Sequence, residues 1–149
     1  MSLSDPYSIA SRALVVWYGL FQAGHLALNA RYQFVPFADR PPLPFTPPTE
    51  GWLPQTIAFG SGMAVADLFN AALSLLLVAG YFRRASWVGW LGTVTLTISV
   101  YAALAFTWGA VAAGAPALGL SYLWLNLAMI PIVVLFVAWL YWVTSRKLG

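Results

Sequence analysis

Asp67 asks most of its surroundings. It lies about ten residues into an apolar run that extends from about Ile57 to Tyr81, and it is the only acid inside any such run. A charge at that depth in a bilayer costs about 2.5–3.5 kcal/mol on insertion scales. The group must therefore be protonated, hydrogen-bonded or turned toward a wet cavity. No lysine or arginine lies within an apolar run to pair with it. Polar partners do recur at helical spacing. Gln22, His25 and Asn29 stand three and four apart on the first run, and Asp67, Asn70 and Ser74 repeat the pattern on the second. Thr93, Thr97 and Tyr101 follow on the third, and Asn126 on the fourth. Counted from the ends of the runs, Gln22, His25, Asp67 and Tyr101 fall at similar depth. This predicts a polar cavity lined by Gln22, His25, Asn29, Asp67, Asn70, Tyr101 and Asn126.

An acid and an imidazole at one depth could exchange a proton, as in a double-bond isomerisation or a quinone-linked reaction. His25 is the only histidine. Neutral imidazole in an apolar helix is also a natural axial ligand for haem or chlorophyll, and Ala23 and Gly24 beside it would admit a flat ring. One histidine supplies only one protein ligand, however, and no Cys-x-x-Cys-His is present. A zinc or di-iron centre needs several histidines or carboxylates, so no metal site is expected. The plainer role for such residues is adhesion between helices, at about 0.6 kcal/mol per contact. Thr93, Thr95, Thr97, Ser74 and Ser99 are read that way. Asp67 with His25 is a costlier form of adhesion, and this sets the pair apart.

The elements that must position these residues are apolar. The chain has 149 residues, 61% hydrophobic and 7% charged, where a soluble domain carries about 25% charge and 45–50% apolar residues. A soluble monomer, a disordered tail and a nucleic-acid module are excluded. Four runs, about 13–30, 57–81, 86–108 and 120–143, reach the roughly 20 residues that span hydrocarbon. Backbone groups in lipid must pair internally, so the runs should be helices. The expectation is one all-α domain over 1–149, an integral membrane four-helix bundle. Its first run is too long for a signal-peptide core and reads as a retained span.

Residues 82–85 form a tight basic turn, which makes the second and third helices antiparallel neighbours. Residues 31–56 hold seven of the ten prolines and the aromatics Tyr32, Phe34, Phe37, Phe45 and Trp52, so they read as a stiff cap at the interface. Arg12, Arg83, Arg84, Arg146 and Lys147 fall on one side, with Arg31 and Arg40 on the other. The positive-inside rule then places both termini in the cytoplasm of a multi-pass cell-membrane protein, with the proline-rich loop outward. Trp87, Trp90, Trp139, Tyr141 and Trp142 are expected as an inner aromatic belt. Trp52, Trp108, Tyr122 and Trp124 are expected as an outer one. Gly60 with Ala64, Gly62 with Ala66, and Gly89 with Thr93 could let helices approach closely. Pro131 should disturb the fourth helix.

The first helix reads WYGLFQAGHLALNARY, and the second and third read ADLFNAALSLLLVAGYFRRASWVGWLGT. Over residues 12–108 the arrangement resembles the DoxX-like family of small bacterial four-helix membrane proteins. Gly19 with Gly24, and Asp67 with Leu68, match that family's glycine-bearing first helix and the Glu-Leu start of its second. Aspartate replaces the family's glutamate, and the first loop is longer. The resemblance implies association with membrane redox systems or quinones. The four-helix EXPERA proteins, which bind or isomerise sterols through intramembrane acids, are similar in outline. The leading reading is a non-catalytic accessory subunit or a binder of a quinone or lipid. The alternatives are an enzyme using Asp67 and His25 as acid and base, and a structural subunit bound to a protein partner or to further copies of itself.

Overall fold

The computed structural model describes residues 3–34, 54–112 and 120–148. They form four helices: α1 Ile9–Gln33, α2 Pro54–Phe82, α3 Val88–Ala112 and α4 Leu120–Thr144. The proline-rich cap and its aromatics at 36–53 lie outside the described residues. Pro54 opens α2, three residues before the expected start. A proline is accommodated in a first helical turn because its missing N–H would have no intrahelical acceptor there.

The helices close into a ring in which α1 packs on α2 and α4, and α3 packs on α2 and α4. All neighbours are antiparallel. Asn29 meets Asp67 and Tyr18 meets Ser74 between α1 and α2. Trp17 meets Ala128 between α1 and α4, where the far end of α4 meets the segment before α1 through Trp142 and Leu3. Three helices carry stretches long and apolar enough to cross a membrane: Gly62–Phe82, Val88–Ala105 and Asn126–Thr144. At most 39% of any of these stretches is buried within the chain. Leu20, Phe69, Leu76, Leu104, Ile130 and Val137 are left on the outside. Apolar surface on that scale is foreign to a soluble monomer and compatible with an integral membrane protein. α1 does not reach the same apolarity, whereas four spanning runs were expected. Gln22, His25, Asn29 and two arginines lower it. At about 1.5 Å per residue its 25 residues still extend about 37 Å.

The core contains Val15, Leu77, Tyr81, Leu96, Ile132, Leu135, Trp139 and Trp142. The two tryptophans correct the expected inner belt, since both are fully buried. Trp139 donates from Nε1 to Gly89 O at 3.0 Å, and Trp142 to Leu3 O at 2.7 Å. Burial is affordable because each indole N–H finds a carbonyl. Space for the first ring comes from Gly92, where a Cβ would stand 2.0 Å from Trp139 Cζ2. Trp90 and Tyr141 do face outward as a belt would. Gly62 has open space around it, so it mediates no close approach among the described residues.

One end of the bundle is sealed by the segment before α1. Tyr81 Oη donates to Pro6 O, and Lys147 Nζ to Ser4 O at 2.6 Å. Ser8 caps α1 by accepting the N–H of Ser11. α2 and α4 terminate alike. Ala85 N bonds Gly80 O while Arg84 N bonds Tyr81 O, and Lys147 N bonds Trp142 O while Arg146 N bonds Val143 O. This paired closure requires a left-handed residue, usually glycine. Arg84 (φ 53°) and Arg146 (φ 56°) fill the role here.

Candidate functional site

Two polar layers occupy the middle of the bundle. The deeper one is a closed network. Gln22 Nε2 and Asn70 Nδ2 donate to Ser99 Oγ at 3.0 and 2.8 Å. Both acceptor positions of that hydroxyl are then taken, so its own hydrogen goes to Tyr18 Oη, 2.8 Å away. Tyr18 in turn donates to Ser74 Oγ at 2.7 Å, and Ser74 to the Asn70 carbonyl at 2.7 Å. Each hydroxyl thus has one defined direction. The chain of donors joins α1, α2 and α3 and ends on backbone. Gln22 and Asn70 are 1% and 2% exposed, and their side-chain oxygens Oε1 and Oδ1 have no donor among the described residues. A buried acceptor left unpaired costs about 1–3 kcal/mol.

One helical turn toward the C-terminus of α1 and the N-terminus of α2 lies the second layer. His25 Nδ1 stands 2.8 Å from Asp67 Oδ2, and Asn29 Nδ2 donates to the same oxygen at 3.1 Å. Two lone pairs would repel at 2.8 Å, so the ring proton sits on Nδ1. The N–H is not aligned on the oxygen. The contact is therefore a close polar approach rather than a directed hydrogen bond. The ring of Phe21, 4.5 Å away centre to centre, fixes one side of the imidazole. The side chain of His25 is 35% exposed and that of Asp67 17%, so this layer, unlike the first, opens outward.

Of the residues anticipated from spacing, Gln22 and Asn70 share the inner layer, and His25, Asn29 and Asp67 share the outer one. Asn126 is half-buried near Thr107, whose hydroxyl reaches Asn126 Oδ1 at 3.4 Å. Tyr101 stands apart, 68% exposed on the outside of α3. The face of α3 that turns inward carries Thr95 and Ser99, both buried, rather than Thr97 and Tyr101. Tyr18 and Ser99 are the central members that spacing did not single out. Tyr18 precedes Gln22 by four, so the stripe of α1 runs one turn further than the expected set. Among the described residues no group of three His, Cys, Asp or Glu side chains could hold a metal ion.

No protein-family model, curated protein or solved structure matches the chain.

Proposed function

We propose that the chain is a four-span membrane protein that binds a lipophilic molecule, a quinone or a lipid, at the His25–Asn29–Asp67 layer, in the role of an accessory subunit. The observation that carries this reading is the convergence of two polar side chains, His25 and Asn29, on one carboxylate oxygen of Asp67, half-open, among apolar helices. Such a place offers a polar head group directional contacts while its tail lies along hydrocarbon. The N-in, C-in orientation belongs to the same reading. It is supported by the gathering of Arg12, Arg83, Arg84, Arg146 and Lys147 at the sealed end. Kinship with DoxX-like proteins also belongs to it, on the four-helix outline and the basic turn between α2 and α3.

The test is calorimetric titration of a decyl-substituted benzoquinone into the protein in lipid nanodiscs, with wild type and Asp67→Ala. Loss of affinity in the variant is expected. Equal binding by both removes Asp67 from the site.

One observation favours a second reading, a structural role in a larger assembly. Trp90, Val94, Ile98, Tyr101, Leu104 and Trp108 recur at three- and four-residue spacing and are exposed along α3. Tyr101 there carries a polar group that lipid cannot satisfy. A particle mass equal to one chain after mild extraction would count against this role.

A further inference from the structure

The two layers differ in which of their polar atoms are engaged. Each amide nitrogen already has an acceptor: Gln22 Nε2 and Asn70 Nδ2 on Ser99, and Asn29 Nδ2 on Asp67. The hydroxyls of Tyr18 and Ser74 are committed, and the Nδ1 proton of His25 faces Asp67. Of the three buried atoms without a hydrogen-bond partner, His25 Nδ1 points off the line to Asp67 and the other two are acceptors. Gln22 Oε1 and Asn70 Oδ1 are buried and unmet. In the neutral ring with its proton on Nδ1, His25 Nε2 bears a lone pair, and it makes no hydrogen bond among the described residues. It belongs to an imidazole whose side chain is 35% exposed.

The geometry points to a site that selects lipophiles by a hydroxyl the ligand donates, with His25 Nε2 as its acceptor. This rests on the lipophile-binding reading above and narrows its ligand class to hydroxyl-bearing head groups, such as a hydroquinone rather than its quinone. A quinone carbonyl would bring a lone pair toward the lone pair of Nε2. It could take the second amide hydrogen of Asn29, but every unmet acceptor would stay unmet. A hydroxyl would instead satisfy Nε2. Asp67 supports the arrangement from behind: its carboxylate holds the proton on Nδ1 and so keeps Nε2 an acceptor. Asp67 is thereby a positioning residue, and His25 makes the contact.

Because His25 is the only histidine, nitrogen-15 histidine labelling reports on Nε2 without ambiguity. The experiment titrates a decyl-substituted benzoquinone, and its hydroquinone kept reduced under argon, into the labelled protein in nanodiscs. The hydroquinone should bind about tenfold more tightly, the worth of one hydrogen bond of about 1.4 kcal/mol, and should shift the Nε2 resonance more than Nδ1. His25→Asn keeps an amide N–H for Asp67 and discards Nε2, so the two affinities should become equal. Equal affinities in wild type overturn the hydroxyl preference and leave the lipophile site standing. A preference without movement of Nε2 overturns the role of His25. Binding of neither form overturns the lipophile site itself. The resonance measurement needs no variant, so a failure of His25→Asn to fold does not protect the inference.

Discussion

At Ser99 one hydroxyl serves three neighbours, Gln22, Asn70 and Tyr18, across three helices. Deleting it strands two buried amide nitrogens and removes the first link of the donor sequence that ends on the Asn70 carbonyl. Ser99→Ala should therefore lower stability by about 1–3 kcal/mol, read as thermal unfolding in detergent. Thr97 is the contrast on the same helix. It is exposed and its hydroxyl only bonds back to Thr93 O, so Thr97→Val should change stability by less than about 0.5 kcal/mol. Equal effects would show that the network is mere packing. This difference also explains what the sequence left hidden. Asp67 and His25 were legible because an ionisable group in an apolar run is costly and must be accounted for. Ser99 was legible as one of several helix-adhesion hydroxyls but not as the hub, because α3 carries hydroxyls at 93, 95, 97 and 99, every second residue, which populates both faces. Spacing alone could not choose between Thr97 with Tyr101 and Thr95 with Ser99. Packing against Tyr18 and Gln22 chose the latter.

Among the elements, α3 and α4 are held together by a ring seated on a glycine. A methyl at Gly92 would overlap Trp139 at 2.0–2.5 Å, on carbons and on the nitrogen that bonds Gly89. The indole is wedged between helices and has no free end to swing away. Gly92→Ala should cost about 1–3 kcal/mol as overpacking and should shift the Trp139 fluorescence. Gly62→Ala, in open space, should have no such effect. Tryptophan-rich ends suggest interfacial belts by composition. Trp139 and Trp142 defeat that reasoning because their N–H groups find backbone carbonyls inside the bundle. Pro131 is a milder case: α4 continues through it. Nearby, Trp17 donates to Ala128 O at 3.1 Å, which ties α1 to the turn that precedes the proline. The helix ends offer a gain rather than a loss. Arg146 sits at φ 56°, so Arg146→Gly should stabilise α4 by up to about 1 kcal/mol, measured by the same unfolding.

For the whole molecule, composition made the helical class and the count of four elements legible, because a chain with 7% charge has no means of covering itself in water. The lesser apolarity of α1 follows from its role. It supplies Tyr18, Gln22, His25 and Asn29 to the interior, and that polarity is tolerable because α2 and α3 meet it with their own. Orientation is a separate matter from architecture. The segment before α1, the Arg83–Arg84 turn and the end of α4 share one end of the bundle, tied by Tyr81 to Pro6, by Trp142 to Leu3 and by Arg84 stacked 4.7 Å from the ring of Tyr7. Five basic residues collect there, against Arg31 at the far end of α1. In the orientation proposed above, this asymmetry places the basic end in the cytoplasm. The chain contains no cysteine, so single replacements test it directly. Arg31→Cys should react with a membrane-impermeant maleimide on intact cells. Ser86→Cys, exposed beside the basic turn, should react only after the membrane is opened. The reverse pattern would invert the molecule in the bilayer and would place the His25–Asp67 layer nearer the cytoplasmic leaflet.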